Sequence, residues 1–189
     1  MPRKVDHRAR RELLADALMR LAAARGLEEV SLRHVAAEAG VSTGMVQHYF
    51  RTKDEMMAFA LGMVMDRIRE RSDGAVASAT PRELVRGLLC EVLPLDETRR
   101  LENHVVLAFL AYAAVKPSIA SGLRESAAGM REFLADQLRA SGADGIDPER
   151  AAAGLLALVD GLGIQVLSRQ LTEEAAIAAL DSHLALIFD

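Results

Sequence analysis

The chain has 189 residues, of which 51% are hydrophobic and 26% are charged, and its formal net charge is −4. These values are typical of globular proteins that bury a core without metals or disulfides. The single cysteine, Cys90, excludes an intrachain disulfide framework and favours a reducing, cytoplasmic location.

The apolar stretch 105–115 is shorter than the ~20 residues that span a bilayer, and Asp160 interrupts the next one, so we expect no membrane segment. The basic N-terminus continues into an amphipathic stretch that contains Glu12 and Asp16, so we expect no export signal.

The charges are distributed unevenly along the chain. Residues 1–53 contain ten Lys and Arg against six Asp and Glu, a net charge of +4, whereas residues 54–189 contain thirteen against twenty-one, a net charge of −8. A basic N-terminal part joined to an acidic remainder favours a protein whose N-terminal part binds a polyanion. We therefore predict two domains, with their boundary between residues 53 and 54.

The spacing of hydrophobic residues predicts an all-α protein. Alanine, leucine, arginine and glutamate recur three and four residues apart, and the alternating pattern of a strand is absent. In the N-terminal part, the predicted helices cover residues 7–25, 32–39 and 43–49. Two short helices joined by a tight turn form a helix-turn-helix. The residues expected to cap or end these helices are Asp6, Gly26, Ser31, Gly40 and Ser42.

Six further helices are predicted, which gives about nine in all. A capping box of Thr52 and Glu55 opens the fourth helix, and a second box of Thr80 and Glu83, with Pro81 at the first helical position, opens the fifth. The predicted ranges are 53–71, 81–94, 96–115, a segment after residue 117 that ends near residue 140, 148–169 and 173–188.

The third predicted helix carries side chains suited to reading DNA. In a helix-turn-helix, the second helix of the motif enters the major groove and presents its N-terminal side chains to the base edges. We expect Met45, Val46 and Phe50 to anchor this helix on the first two helices. The residues that then face outward are Thr43, Gly44, Gln47 and His48.

The chemistry of these side chains predicts individual contacts. Gln47 is suited to a bidentate contact with adenine, and Thr43 is suited to a thymine methyl group or a phosphate. Gly44 lacks a side chain where a bulky one would hold the helix away from the bases. The expected phosphate contacts are His48, Tyr49, Lys53 at a helix N-terminus, and a basic arm of Arg3 and Lys4.

The same residues resemble those of a known family. The segment 32–55 is similar to the DNA-binding region of the TetR family of bacterial transcriptional regulators, and the likeness extends over roughly residues 10–60. It implies that the helix beginning at Ser42 contacts bases and that Tyr49 and Lys53 contact phosphates. The motifs that carry the resemblance are the Ala39-Gly40-Val41-Ser42 turn, the Tyr49-Phe50 pair and the Lys53-Asp54-Glu55 helix start.

For the rest of the chain the resemblance is architectural. It implies an all-α body that binds a small-molecule inducer and dimerises through helices 148–169 and 173–188. The Pro94-Leu95-Asp96 segment and the apolar helix after it are similar to the branch of the family that contains the choline-responsive regulator BetI. The sequence departs from that branch in its aromatic content, because it has no tryptophan and only two tyrosines, whereas a quaternary-ammonium site needs several aromatic faces.

The sequence of the body also favours dimerisation. Small residues line one side of the eighth predicted helix, where a second backbone is able to approach closely, although such a stripe also occurs in the core of a single protomer. The expected dimer-interface residues are Gly154, Gly161, Ile177, Leu180 and Leu184. The candidate effector-pocket residues, which are equally compatible with a core, are Met63, His104, Phe109, Tyr112 and Asp160.

We therefore expect a homodimeric, cytoplasmic transcriptional regulator, a repressor that a small-molecule effector releases from a palindromic double-stranded DNA operator. Residues 1–53 are the predicted helix-turn-helix DNA-binding domain, and residues 54–189 the predicted effector-binding and dimerisation domain. No catalytic motif or metal-ligand set is apparent, so we expect no enzyme, cofactor or metal site. Two alternatives stay open: a dimeric small-molecule carrier whose DNA-binding part has decayed, and an all-α enzyme that uses His104 with Asp160.

Overall fold

The computed structural model describes residues 7–26, 30–72, 79–116, 120–142 and 145–188. Within these ranges the chain forms helices and no strand, which confirms the predicted all-α class and the count of about nine helices. The helices are α1 (His7–Arg25), α2 (Leu32–Glu38), α3 (Thr43–Tyr49), α4 (Lys53–Ser72), α5 (Pro81–Val92), α6 (Glu97–Val115), α7 (Ala120–Ser141), α8 (Pro148–Leu167) and α9 (Glu173–Phe188).

Local hydrogen bonds determine where the first helices begin and end. The Ser31 hydroxyl accepts a hydrogen bond from the His34 N–H at 3.3 Å, and the Ser42 hydroxyl accepts one from the Met45 N–H at 3.2 Å. Each bond satisfies one of the N–H groups that the first turn of a helix leaves without an intrahelical partner. Gly40 has φ of +66°, a left-handed conformation that favours glycine and ends α2. The predicted caps of α2 and α3 are confirmed, whereas Asp6 lies outside the described residues.

The two predicted capping boxes differ in the structure. Thr80 and Glu83 form the complete reciprocal box at the start of α5, as predicted. At the start of α4, the Thr52 hydroxyl accepts from the Glu55 N–H at 3.1 Å, but the Glu55 carboxylate accepts from the Arg51 N–H at 2.9 Å, one residue earlier than a capping box requires. The Glu55 side chain thus fixes the chain between α3 and α4.

The contacts divide the chain into two compact units. The first comprises Met1–Asp66 and His104–Ala120, and the second comprises Arg67–Asn103 and Ser121–Asp189. The division falls inside α4 and inside α6, so each of these continuous helices contributes residues to both units. The sequence-based boundary between residues 53 and 54 differs from this division and stays a prediction.

Each unit has its own apolar core. In the first, α1, α2 and α3 pack against one another, and in the second, α5, α8 and α9 do so. The large side chains with at most 1% exposure in the first unit are Leu14, Leu18, Met19, Phe50, Met56 and Met57. Those in the second unit are Leu89, Leu93, Leu134, Leu155, Leu180 and Leu184.

A charged network lies in the second unit beside this core. Glu102 on α6 is only 2% exposed, and its Oε2 atom accepts a hydrogen bond from Arg71 Nη2 of α4 at 2.8 Å. Arg71 Nε also donates to Glu91 of α5 at 2.6 Å. Arg71 therefore links the end of α4 to α5 and α6. The contact with Glu102 matters for stability, because a buried carboxylate without a cationic partner is strongly unfavourable.

Within the described part of the chain, α8 alone is long and apolar enough to cross a membrane, by its length and composition. The sequence analysis asked for an uninterrupted apolar stretch, which Asp160 breaks, whereas this criterion tolerates up to two charged residues, so the two results do not conflict. The criterion is weak evidence by itself, since apolar helices in protein interiors also meet it, and α8 packs against α5 and α9.

Candidate nucleic-acid interface

The helix-turn-helix head, by which we mean α1, α2 and α3, holds α3 through two apolar side chains. Val46 and Phe50 have 0% exposure, as predicted for anchors of this helix. The Phe50 ring lies 5.5 Å from the Phe59 ring, and the Arg11 guanidinium lies over both rings at 4.6 and 4.4 Å. The third predicted anchor is wrong, because Met45 is 38% exposed and belongs to the outer side of α3.

The outer side of α3 is open and polar. Gly44, Gln47 and His48 are exposed, and Thr43 at the start of the helix is half-buried. The position of a Cβ atom at Gly44 would have Ser42 Oγ as its nearest neighbour, at 3.9 Å. The fold therefore has room for a side chain at residue 44, so the packing of the protomer does not require glycine there. The helix presents the predicted base-reading residues to solvent.

Several of the predicted phosphate contacts lie at the C-terminal end of α3. Tyr49 is half-buried, with its ring centroid 4.8 Å from that of His7 and 5.1 Å from that of His48. Lys53, also half-buried, is the first residue of α4, where the backbone N–H groups themselves attract anions. Arg3 and Lys4, the predicted basic arm, lie outside the described residues.

Sequence reasoning missed two exposed groups near this end of the head. His7 lies more than forty positions before Tyr49 in sequence, and only the folded chain brings its ring against the tyrosine. Arg51 directly follows α3, and its side chain is exposed. The position of Arg51 in the sequence, directly after the third helix, could have identified it as a candidate phosphate contact. Both residue types donate hydrogen bonds to phosphate oxygens.

Ion pairs connect the helices of the head. Arg20 of α1 contacts Glu38 of α2 at 2.9 Å, and Arg11 of α1 contacts Glu55 of α4 at 3.3 Å. All four side chains are at least one-quarter exposed, so each pair contributes little to stability. Their effect is on orientation, since they hold the ends of α1, α2 and α4 in fixed relation.

The five candidate effector residues have different surroundings. Met63 and Phe109 are buried, at 8% and 2% exposure, and His104 is half-buried. The Tyr112 hydroxyl donates to Asp54 Oδ1 at 3.1 Å, and Asp160 of the second unit is exposed on α8. A groove of about 750 Å³ lies between α1 and α4 in the first unit, and Met63 is the one candidate of the five that lines it.

The five candidate dimer residues also divide into two groups. Gly154 is exposed, Gly161 and Ile177 are half-exposed, and a Cβ atom at either glycine would meet no atom within 4 Å. Leu180 and Leu184, in contrast, have 0% exposure within one protomer, so their side chains belong to its core and are unavailable to a second chain. Sequence periodicity identified the apolar side of α9 without showing that α5 and α8 already cover it.

The same distinction applies to the small residues of α8. A Cβ atom at Gly163 would lie 3.1 Å from Asn103 Oδ1 of α6, so this glycine serves packing inside the protomer. The exposed side of the α8–α9 pair carries Ile164, at 44% exposure, and Leu186, at 80%. Neither was selected from the sequence, although both are large apolar side chains.

Among the residues that the structure describes, no group of three or more His, Cys, Asp or Glu side chains has the geometry of a metal site. The candidate site consists of the exposed polar side of α3, the predicted phosphate contacts beside it and the apolar core that supports them. This arrangement defines a DNA-binding transcriptional regulator of the helix-turn-helix class.

The chain belongs to the TetR family. Residues 14–58 match the family model described as bacterial regulatory proteins, tetR family, and residues 81–189 match that of the C-terminal domain of BetI-type transcriptional repressors. The predicted resemblance is thereby confirmed, including that of the body to the BetI branch. Because the family and its relatives are transcriptional regulators, the protein is a regulator and not an enzyme.

Individual relatives agree with this assignment. The HTH-type transcriptional regulator PksA of Bacillus subtilis (strain 168) is 37% identical over 174 residues, which are 88% of this chain and 83% of PksA. The crystal structure of a transcriptional regulator from Rhodococcus sp. Rha1 is 40% identical with a TM-score of 0.86, covering 94% of this chain and 95% of that one. A regulator from Saccharomonospora viridis, solved in complex with choline, is 25% identical with a TM-score of 0.80, covering 94% of each chain.

Proposed function

We propose that the protein is a homodimeric, cytoplasmic repressor that occupies a palindromic operator and leaves it when a small organic effector binds the body. The observation that carries the DNA-binding part is the exposed polar side of α3 above the buried anchors Val46 and Phe50. Membership of the TetR family, with a BetI-type C-terminal domain, supports the repressor role.

In this proposal α3 enters the major groove with Ser42, Thr43 and Gly44 leading. Gln47 contacts a base edge, and the absence of a side chain at Gly44 brings the helix close to the base pairs. The phosphate contacts flank the helix on both sides of the groove and come from His48, Tyr49, Lys53 and the basic arm of Arg3 and Lys4. The position of His7 against Tyr49 adds a further donor to this group.

Two copies of the head are needed, because operators with two half-sites match proteins with two-fold symmetry. We infer that the exposed side of α8 and α9 provides the self-association surface. Gly154 and Gly161 permit close approach of a second backbone there, and the exposed side chains of Ile164 and Leu186 supply apolar area. Effector binding then shifts the population toward a spacing of the heads that no longer fits the two half-sites.

We further propose that the effector is not choline, although the Saccharomonospora viridis regulator binds it. A cationic ammonium group binds best where several aromatic faces surround it. This chain has no tryptophan, two tyrosines and five phenylalanines. Phe50 is fully buried beneath Arg11, and Tyr49 lies on α3 against two imidazoles. The other, Tyr112, has its hydroxyl bonded to Asp54. Met63, His104 and Phe109, all of the first compact unit, remain the proposed pocket residues.

Variants of α3 and α4 separate base reading from phosphate binding. We expect Gln47→Ala to lose discrimination at one base position, by about 1–3 kcal/mol, and to keep its affinity for scrambled DNA. Lys53→Ala is expected to weaken binding to all duplexes about equally and to reduce the salt dependence of binding by about one counterion. Fluorescence anisotropy on the selected operator and on point-substituted duplexes, at two salt concentrations, measures both effects. Equal losses for Gln47→Ala on operator and scrambled DNA would remove its base-reading role.

A bulky substitution on α8 tests the proposed dimer surface. Gly161→Leu is expected to fold, because no atom lies within 4 Å of the new Cβ position, and to weaken self-association by holding the two backbones apart. The matched control is Gly87→Leu on α5, another exposed helical glycine with open space around it. Sedimentation velocity over a dilution series reports the dimer fraction of each variant. If Gly161→Leu dimerises as strongly as the control, Gly161 lies outside the interface.

A further inference from the structure

Three polar side chains join the start of α4 to the end of α6 within the first compact unit. Lys116 Nζ donates to Asp54 Oδ2 at 2.5 Å and to the Tyr112 hydroxyl oxygen at 2.9 Å. The Tyr112 hydroxyl in turn donates to Asp54 Oδ1 at 3.1 Å. Each member of this polar clamp, formed by Asp54, Tyr112 and Lys116, contacts both of the others. The contact is therefore a closed triangle and not a single flexible ion pair.

Opposite charges strengthen this arrangement. The hydrogen bond from Lys116 holds the pKa of the Asp54 carboxyl below its ordinary value, and the same bond raises the pKa of the Lys116 ammonium. Both groups are therefore fully charged near neutral pH. The Lys116 ammonium also lies 5.1 Å from the centre of the Tyr112 ring, within the range of a cation–π contact.

The position of the clamp gives it a consequence for the DNA-binding site. Asp54 directly follows Lys53, the proposed phosphate contact at the first position of α4, and precedes Glu55, whose carboxylate accepts from the Arg51 N–H. The first turn of α4 is thus held on one side by the chain that leaves α3 and on the other by the end of α6. A shift of this turn would move the Lys53 ammonium relative to α3.

We propose that Asp54, Tyr112 and Lys116 are positioning residues for DNA binding, which hold the first turn of α4 so that Lys53 and α3 engage the same duplex. The proposal rests on the DNA-binding function proposed above. It assigns Tyr112 to the support of the head, where sequence analysis had placed it in an effector pocket. An alternative explanation of the same contacts is purely electrostatic, in that Lys116 neutralises a carboxylate that would otherwise repel phosphate.

Charge-compensated variants distinguish the two explanations. If Asp54 acts only through its charge, Asp54→Asn strengthens DNA binding, Lys116→Met weakens it, and the double variant returns to the original affinity. If the clamp acts through position, both single variants weaken binding, and the double variant is no weaker than either single one because the same interaction has been lost in all three. Tyr112→Phe, which changes no charge, then also weakens binding, by a smaller factor.

The experiment measures the dissociation constants of the full-length variants for one duplex, selected with the unmodified protein from random-sequence DNA. We expect about a fivefold to tenfold loss for Asp54→Asn, for Lys116→Met and for the double variant alike. The matched control is the Arg86–Asp181 pair, an ion pair of 2.6 Å with similar exposure that joins α5 to α9. Arg86→Met and Asp181→Asn are expected to keep their affinity within about twofold.

Each outcome supports or overturns the proposal. A gain for Asp54→Asn with recovery in the double variant would show that only charge matters. Unchanged affinity in the three clamp variants, or equal losses in the control pair, would overturn the positioning role. Circular dichroism at the binding temperature checks that each variant is folded. If Lys116→Met fails to fold, Tyr112→Phe replaces it in the test, and unchanged affinity of Tyr112→Phe would then overturn the positioning role. Should the unmodified protein select no duplex, the proposed DNA-binding function fails before the clamp is tested.

Discussion

Replacing Gly44 with leucine is expected to leave the protomer folded and to reduce its affinity for the operator by about 100-fold or more. The nearest atom to a Cβ at this position is Ser42 Oγ at 3.9 Å, so the new side chain extends into solvent. A leucine in a helix is also intrinsically more favourable than a glycine, by about 0.5–1 kcal/mol. On DNA, however, the added side chain occupies the space between α3 and the base edges. Loss of two good base contacts, each about 1–3 kcal/mol, accounts for a change of this size.

Circular dichroism, thermal unfolding and anisotropy titrations of the same preparation measure these two effects separately. Gly87→Leu on α5 is the control, since residue 87 is also an exposed helical glycine with open space around it. The control is expected to bind DNA as the unmodified protein does. Undiminished operator affinity in Gly44→Leu would show that the N-terminal end of α3 does not approach the bases.

Arg71→Met is expected to destabilise the protein by about 3 kcal/mol, the largest effect on stability that we predict for a single substitution. Glu102 is 2% exposed, and Arg71 donates to it through two guanidinium nitrogens, at 2.8 and 3.3 Å. After the substitution, Arg67 of α4 stays near this carboxylate, at 3.9 Å. A cation at this distance compensates poorly for the hydration that the buried carboxylate lost on folding, so the folded state becomes less stable.

Urea unfolding measures the change in the free energy of unfolding, and the protein concentration is fixed because the proposed dimerisation would make stability depend on it. The control is Arg86→Met, which removes the same charge from a pair with Asp181 whose side chains are 44% and 40% exposed. Exposed pairs of this kind contribute less than about 1 kcal/mol. If Arg71→Met and Arg86→Met lower the free energy of unfolding by similar amounts, the buried network does not stabilise the protein more than an exposed ion pair does.

The elements of the fold were predictable where their signals are local. Ser31, Ser42 and Thr80 cap helices through hydrogen bonds to residues three positions later, so the sequence contains both partners. The signal at Thr52 was equally local, but the Glu55 carboxylate has a competing donor in the Arg51 N–H, and the box takes a different form. Local sequence specifies that a helix begins there without specifying which N–H group each carboxylate selects.

The errors concern surfaces that depend on the tertiary structure. Met45 and Val46 are adjacent in sequence and were both predicted as anchors of α3, but the fold buries Val46 and leaves Met45 exposed. Leu180 and Leu184 have the spacing of an interface, but α5 and α8 bury them within the protomer. The hydrogen bond between the Tyr112 hydroxyl and Asp54 joins residues 58 positions apart, and the sequence analysis did not predict it. Such contacts have no counterpart in the spacing of a single helix.

The central claim is that α3 of each protomer lies in the major groove, twice per symmetric dimer. Dimethyl sulfate protection tests it most directly, because the reagent modifies guanine N7 at the floor of the major groove. On the selected duplex, the account predicts two symmetric patches of protected guanines, centred about one helical turn or a little more apart, and their loss with Gly44→Leu. Bound protein that leaves every guanine N7 accessible, or that protects one patch only, would contradict it.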